Sequence, residues 1–238
     1  MNYALIFAGG TGQRMNTGAK PKQFLELHGK PLLIYTLEYF EKNPSIDAIC
    51  VVCLCGWERI LKDSVKQYNI QKVKWITNGG DSGHDSIYNG LRILFDVCRD
   101  DDIILIHDGV RPLISDELIM ENIRCVKKYG NAITVETVSE SVVQVDDADN
   151  ITEVPARSQM RVAKAPQCFY FKEIWEVHKQ AEKDGFKSID SAHLMNHYNH
   201  KLHTVEGTPY NMKIATPSDY YVFRALYEAR ENSQIFGI

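Results

Sequence analysis

The sequence lacks the features that mark several large classes of proteins. Its 27 lysines and arginines are outnumbered by 31 acidic residues in a chain of 238, and this balance disfavours a nucleic-acid-binding surface. No segment approaches the roughly 18 consecutive apolar residues of a membrane helix. The N-terminus has neither the basic start nor the long apolar run of a secretory signal peptide. We therefore expect a cytoplasmic protein that binds neither nucleic acid nor a membrane.

Metal-binding and triad motifs are missing as well. Cys50, Cys53 and Cys55 lie in an apolar strand-like run, but no second pair of cysteines stands at the spacing that a four-ligand zinc site needs. We interpret these three residues as buried, reduced thiols. His193 and His197 are four residues apart without the glutamate of an H-E-x-x-H motif. No Ser-His-Asp or Cys-His arrangement can be argued from spacing either.

The most informative segment present is a glycine-rich stretch after the apolar run at residues 3–7. Residues 8–15 read AGGTGQRM, which is not a Walker A loop, and Met15 stands where a G-x-G-x-x-G motif would have its third glycine. Glycines allow backbone N–H groups to approach an anion. Arg14 and Lys22 add two cations, which favours a nucleoside triphosphate over a dinucleotide. A plain strand-to-helix turn is the alternative.

Apolar strand-like runs alternate with segments of helical period. Strands are predicted near residues 3–8, 47–55, 73–77, 102–107 and 131–138, with helices near 31–42, 57–68, 85–99 and 115–128 between them. Beyond residue 160 we predict strands near 168–171 and 201–206 and helices near 172–183, 190–198 and 217–232. This order favours an α/β fold with a mainly parallel, Rossmann-like twisted sheet and flanking helices, in a single domain over residues 1–238. Ligands of such sheets bind at the carboxyl ends of the strands.

The alternation is interrupted at residues 139–160. Two short alternating runs there flank an acidic turn at 146–150, a pattern typical of a β-hairpin. A two-stranded ribbon is rarely stable alone. We therefore expect this arm to protrude and to pack against a second copy of the chain in a homodimer.

Two charged positions follow strand-like runs. Asp108 ends the run at 102–107, where it is placed to hold a hard cation such as Mg²⁺ or a ribose hydroxyl. Arg111, three residues on, has the bidentate geometry that suits phosphate. A salt bridge between the two is the alternative. Lys213 stands in a short strand-like piece before a helix that begins at Pro217, where a solvated lysine is the alternative.

A further glycine segment precedes the helix predicted near residue 85. Gly80, Asp81 and Ser86 lie in this segment, and glycines with a serine near a helix N-terminus can bind a base edge or a phosphate. Asp85 or Ser86 acting only as the N-cap of the helix is the alternative.

Together these motifs resemble those of the cytidylyltransferases that make CDP-linked polyols, namely the 2-C-methyl-D-erythritol 4-phosphate and ribitol-5-phosphate cytidylyltransferase family. The motifs that carry the resemblance are the glycine-rich loop with Arg14-Met15, Pro21-Lys22-Gln23-Phe24, Gly79-Gly80-Asp81, His107-Asp108 with Arg111-Pro112, Ala165-Pro166-Gln167, and Glu206-Gly207 followed by Asn211-Met212-Lys213-Ile214. They occur in the family's order over nearly the whole chain.

The resemblance implies a role for each motif. Cytosine and ribose would be held by Ala8, Gly9, Gly10, Thr11, Gly12, Gly80, Asp81 and Ser86, with Asp108 beside the ribose and a Mg²⁺ ion. The catalytic cations would be Arg14 and Lys22 on the triphosphate and Lys213 on the α-phosphate. The acceptor polyol phosphate would be bound by Arg111, by Glu140 and Ser141 of the arm, and by Arg157 from the arm of the partner subunit.

The sequence departs from the family pattern mainly around the acceptor. Ala165, Gly83 and Ile189 replace the family's usual Thr, Arg and Thr, and Glu140-Ser141 replaces Asp-Thr. The resemblance therefore implies transfer of CMP from CTP to a polyol phosphate. Ribitol 5-phosphate or a similar alditol phosphate is the leading acceptor, and 2-C-methyl-D-erythritol 4-phosphate is the second. A non-catalytic nucleotide-binding module and a Rossmann oxidoreductase are alternatives of other classes.

Overall fold

Eleven strands and seven α-helices occur in the computed structural model, which describes residues 1–10 and 20–236. The strands are β1 (Asn2–Ala8), β2 (Glu26–Leu27), β3 (Lys30–Pro31), β4 (Ala48–Cys53), β5 (Val73–Asn78), β6 (Ile103–Asp108), β7 (Asn131–Thr137), β8 (Gln144–Val145), β9 (Ile151–Glu153), β10 (Arg161–Tyr170) and β11 (Thr204–Glu206). The helices are α1 (Leu32–Lys42), α2 (Glu58–Gln67), α3 (Gly83–Phe95), α4 (Asp116–Tyr129), α5 (Phe171–Asp184), α6 (Ser191–His197) and α7 (Pro217–Phe236).

Seven of the strands form one central sheet in the order β11-β7-β10-β6-β1-β4-β5. All neighbours are parallel except β10, which runs antiparallel to both β6 and β7. The chain moves outward from β1 to β4 and β5 and then crosses back to β6 on the other side of β1. The strand order therefore reverses at β1, and ligands of open α/β sheets bind at such a reversal.

Alternate residues of the central strands face opposite helical layers. Ala4 and Ile6 of β1 pack in the cluster that includes α1, α2 and α4, whereas Tyr3 and Leu5 pack in the cluster that includes α3, α5 and α6. Because both faces of the sheet are buried, its strands read as uninterrupted apolar runs rather than as alternating ones. This explains why the runs were visible in the sequence.

The mainly parallel sheet with flanking helices is thus confirmed, and most element positions agree with the sequence predictions. The N-cap prediction for α3 was wrong: the helix begins at Gly83, because Ser82 is the N-cap residue and its hydroxyl accepts from the Asp85 amide at 3.1 Å. Lys213 lies in a loop rather than in a strand-like piece. The Asp219 carboxylate accepts from the amides of Ala215 and Thr216 at 2.8 Å, so it caps α7.

The arm predicted at residues 139–160 contains β8 and β9, which pair antiparallel as a separate two-stranded ribbon. Its apolar side chains, Val145, Ile151 and Val154 among them, are exposed.

Cys50 and Cys53 are buried, as predicted, but Cys55 is exposed because β4 ends at Cys53 and the chain turns there. None of the helices in residues 1–10 and 20–236 has the length and apolar character needed to cross a membrane.

The helical layer of α3 and α5 encloses a histidine without polar partners. His178 is 1% exposed, its ring stacks on Tyr88 with centroids 5.3 Å apart, and neither ring nitrogen has a hydrogen-bond partner among the described residues. Burial lowers the pKa of His178 to about 3, and the neighbouring His84 acts in the same direction. The folded protein therefore holds this imidazole in its neutral form.

We predict that His178 makes the protein less stable in mild acid. The unfolded chain takes up a proton near pH 6.5 and the folded chain does so only near pH 3, so stability falls as the pH drops through that window, by about 2 kcal/mol between pH 7 and pH 5. Urea unfolding at the two pH values should show a smaller loss for His178→Phe than for the wild type. Equal losses in the two proteins would contradict the prediction.

Candidate active site

A cavity of about 490 Å³ opens where β1, β5 and β6 end. Its walls come from the loops after these strands and from the loop that carries Lys213, and they comprise Phe7, Ala8, Gly9, Gly10, Lys22, Gln23, Leu54, Gly80, Asp81, Ser82, Gly83, Ser86, Asp108, Val110 and Lys213. An equally large groove follows the edge strand β5, but its walls hold lysines and apolar residues without a carboxylate. Chemistry rather than volume therefore identifies the first cavity as the candidate site.

Two glycine segments meet at the floor of this cavity. A Cβ added to Gly9 would lie 3.0 Å from the Cα of Gly79, so two side chains cannot fit at this approach. The Ser86 hydroxyl accepts from the Gly80 amide at 3.1 Å and donates to the Ser82 carbonyl at 2.8 Å. Ser86 thus fixes the loop after β5, and the backbone forms much of the cavity surface.

The turn at Lys22–Phe24 supports the loop after β1. The buried Gln23 side chain donates to the carbonyls of Ala8 and Gly10 at 2.7 and 3.1 Å. Lys22 Nζ donates to the Ile214 carbonyl at 3.1 Å, which ties this turn to the loop of Lys213. Residues 192 positions apart in the chain are therefore held at one site.

Asp108 is the centre of the charged part of the site. Its carboxylate accepts from Arg111 Nε at 2.7 Å on one oxygen and lies 2.5 Å from Lys213 Nζ on the other. Burial by itself raises the pKa of Asp108, but the positive charges of Arg111 and Lys213 outweigh it and lower the pKa to about 2. The carboxylate is therefore ionised at neutral pH and holds both cations in place.

A second cavity of about 270 Å³ adjoins the first and shares Phe7, Gly83, Asp108 and Lys213 with it. Its remaining walls are Ile87, Ile106, Arg111, Ala163, Lys164, Ala165, Gln167, Ile189, Asp190 and Ser191. Arg111 is held there by Asp108 and by the Asn211 carbonyl, to which its Nη1 donates at 2.9 Å. The two cavities thus meet at the ionised Asp108 and its cations.

The structure brings most of the predicted site residues together. Around the two cavities lie Ala8, Gly9, Gly10, Lys22, Gly80, Asp81, Ser86, Asp108, Arg111 and Lys213. Thr11, Gly12 and Arg14 lie outside the described residues. Glu140, Ser141 and Arg157 belong to the arm and line neither cavity, and Arg157 donates to the Ser139 carbonyl at 3.0 Å.

Sequence reasoning missed several residues of the walls. Gln23 and Gln167 each stood in a quoted motif, but nothing in the sequence indicated which backbone groups they bind. Lys164 forms a largely buried ion pair with Glu136 across the sheet from β10 to β7, a contact that depends on strand register. Ile189 and Asp190 drew attention only because the sequence was compared with the family's usual residues at these positions.

The family model described as 2-C-methyl-D-erythritol 4-phosphate cytidylyltransferase (IspD) matches residues 3–228. The chain belongs to this family of cytidylyltransferases. The ribitol-5-phosphate cytidylyltransferase of Streptococcus agalactiae serotype III (strain NEM316) is 48% identical over 239 residues, which is 100% of each chain. The 2-C-methyl-D-erythritol 4-phosphate cytidylyltransferase of Clostridium botulinum (strain Langeland) is 34% identical and spans 95% of this chain and 97% of its own.

A solved structure of a family member has the same fold. The 4-diphosphocytidyl-2C-methyl-D-erythritol synthase of Anaerococcus prevotii superposes with a TM-score of 0.82 at 27% identity, over 95% of this chain and 96% of that one. The likeness includes the whole central sheet, because it extends over nearly all of both chains. The cavities described above therefore lie in the fold of the family.

We predict that Gly80→Ala disrupts the loop after β5. A Cβ at this position would overlap the Asp85 side chain and lie 3.1 Å from the Asp85 carbonyl carbon, so α3 or the loop must shift at a cost of about 1–3 kcal/mol. Gly83→Ala is the matched control for stability, because its added Cβ meets nothing within 4 Å. Denaturant unfolding of both variants checks this, and equal stabilities would refute the proposed close packing.

Proposed function

We propose that this member of the cytidylyltransferase family transfers CMP from CTP to ribitol 5-phosphate, giving CDP-ribitol and pyrophosphate. The observation that carries the proposal is the pair of adjoining cavities that meet at Asp108, Arg111 and Lys213. Two substrates, each bearing phosphate, can approach one another there with cations at the point of contact. A cytoplasmic location, where CTP is available, belongs to the same proposal.

In this reaction an oxygen of the acceptor phosphate attacks the α-phosphorus of CTP. The new bond joins that oxygen to the α-phosphorus, and the bond between the α-phosphorus and the bridging oxygen of pyrophosphate breaks. An acceptor phosphate is already ionised at pH 7, so no general base is needed. Positioning and neutralisation of charge can supply the catalysis, which agrees with a site built of cations and backbone N–H groups.

The cations have distinct places in this scheme. The glycine loops after β1 and β5, with Asp81, would bind the nucleoside in the first cavity, and Lys22 and the undescribed Arg14 would bind the triphosphate. Lys213 stands where both cavities meet and would bind the α-phosphate. Arg111 faces the second cavity and would bind the acceptor phosphate.

A divalent cation belongs to the proposal through Asp108. Among the described residues there is no group of three or more His, Cys, Asp and Glu side chains that could hold a metal by itself. Mg²⁺ usually takes one or two carboxylates together with substrate phosphates, and the ionised Asp108 at the cavity junction fits that pattern. When bound, Mg²⁺ would supply neutralisation of phosphate charge.

The relatives and the second cavity support ribitol 5-phosphate as the acceptor. The relative from S. agalactiae, matched over its full length at 48% identity, is named for ribitol 5-phosphate, whereas the relative named for 2-C-methyl-D-erythritol 4-phosphate is 34% identical. The departures at Ala165 and Ile189 both line the second cavity. These relatives match nearly the whole chain and are named as transferases, which disfavours a non-catalytic module.

We also propose that the arm builds a homodimer and contributes to the partner's site. Its ribbon pairs with no other strand of the described chain, and its exposed Val145, Ile151 and Val154 offer apolar surface for a second copy. Arg157 lies at the base of the arm and lines neither cavity of its own chain. A contact with the acceptor from Arg157, and from Glu140 and Ser141, would then come from the partner subunit.

The first prediction of this proposal concerns the acceptor. Purified protein with CTP and Mg²⁺ should release pyrophosphate fastest with ribitol 5-phosphate, more slowly with 2-C-methyl-D-erythritol 4-phosphate or glycerol 3-phosphate, and not without an acceptor. Coupled pyrophosphate detection measures each rate. Release with none of the acceptors would refute the proposed reaction, and a clear preference for the methylerythritol phosphate would refute the acceptor.

The second prediction concerns the arm. Lys213→Ala and Arg157→Ala should each be nearly inactive alone, but a refolded equal mixture should recover about a quarter of wild-type activity, because half of the dimers are mixed and each mixed dimer has one intact site. The mixture is compared with each variant carried through the same refolding. Absence of recovery in a mixture that forms dimers would show that Arg157 does not act across the interface.

A further inference from the structure

We propose that the Ser191 hydroxyl binds a hydroxyl group of the polyol acceptor and thereby selects the acceptor. The inference rests on the proposed function, which places the acceptor in the second cavity. It assigns a specificity-determining residue in the part of the site where the sequence departs from its family pattern. Ser191 was absent from the residues predicted from the sequence.

The Ser191 side chain is buried without a partner. The residue is 2% exposed and lines the second cavity, and its Oγ has no hydrogen-bond partner among the described residues. A buried hydroxyl without a hydrogen bond raises the free energy of the folded protein, because it has lost its contacts with water. A ligand group in the cavity that donates to or accepts from this oxygen would remove that cost.

The side chains around Ser191 are fixed by other contacts. Gln167 accepts from the Ala192 amide at 2.8 Å through Oε1 and donates to Asp190 Oδ2 at 3.2 Å through Nε2. The other Asp190 oxygen accepts from the His193 amide at 2.7 Å. These bonds hold the chain on both sides of Ser191, which itself lines the second cavity.

The charges of the second cavity indicate which end of the acceptor Ser191 meets. Lys164 is paired with Glu136, and Arg111 and Lys213 are gathered at Asp108. The acceptor phosphate is expected at the Asp108 end, where the cations adjoin the first cavity. The wall that holds Ser191 also contains the apolar Ala165 and Ile189, which suits the uncharged carbon chain and its hydroxyls.

A hydroxyl is the group that this wall can distinguish best. Serine both donates and accepts, so it pairs equally well with an alcohol. A site built to hydrogen-bond a substrate hydroxyl strongly rejects an analogue without it, because the protein group is then left unpaired in the complex. Ser191 would therefore favour polyols with a hydroxyl at one particular carbon.

The test compares ribitol 5-phosphate with its monodeoxy analogues, which lack the hydroxyl at C1, C2, C3 or C4. For Ser191→Ala we expect KM for ribitol 5-phosphate to rise about 10- to 100-fold with little change in kcat, because a binding contact is lost in ground state and transition state alike. KM for CTP should stay unchanged. The wild type should discriminate against one analogue in particular, and Ser191→Ala should lose that discrimination.

Ser188→Ala is the matched control. Ser188 is a nearby serine that lines neither cavity, and its hydroxyl is hydrogen-bonded to His84 Nδ1 at 2.9 Å. This variant should keep the wild-type KM for every acceptor. Calorimetric binding of CTP to both variants verifies that each is folded.

Three outcomes separate the inference from the function on which it rests. The role of Ser191 would be overturned, while the reaction stands, if Ser191→Ala kept the wild-type KM for the acceptor. It would also be overturned if the substitution impaired the reaction equally with ribitol 5-phosphate and with every deoxy analogue. A wild type that releases no pyrophosphate with any polyol phosphate would overturn the function itself. If the wild type prefers another polyol phosphate, the same comparison with the deoxy analogues of that acceptor decides the role of Ser191.

Discussion

The charge cluster around the buried Asp108 is the interaction on which the site depends. One carboxylate at the end of β6 gathers Arg111 from its own loop and Lys213 from a segment just before α7. Removing one partner of a buried ion pair leaves an uncompensated charge, which is strongly destabilising. The same cluster lies where the two cavities meet, and in the proposed reaction it would set where two phosphates approach one another.

The sheet supplies the second constraint. The strand order reverses at β1, and the loops after β1 and β5 converge at the first cavity. A Cβ added to Gly9 or to Gly79 would lie 3.0 Å from the Cα of the other, so a side chain at either position would push the two loops apart. Gln23 and Ser86 then hold the two loops through backbone contacts. These contacts fix the two glycine loops that line the first cavity.

The second cavity is built differently. Its walls include side chains of β10 and of the segment that leads into α6, among them Gln167, Ala165, Ile189 and Ser191. Side chains can change without moving the sheet, so in the proposed function a family with one reaction would vary its acceptor through this cavity. The proposed arm contact follows the same logic, because Arg157 lies at the base of the arm, outside the central sheet.

The α/β alternation could be predicted from the sequence, because strands that are buried on both faces appear as apolar runs and the helices appear as segments of helical period. The sequence also marked the glycine loops, Asp108 and Arg111 as site residues, because glycine and charge at strand ends have few structural uses. The tertiary structure was needed to bring Lys22 to the Ile214 carbonyl beside Lys213, and to show that the buried Ser191 hydroxyl has no hydrogen-bond partner in the described part of the chain. Those relations depend on contacts between segments up to 192 positions apart, which local sequence patterns do not encode.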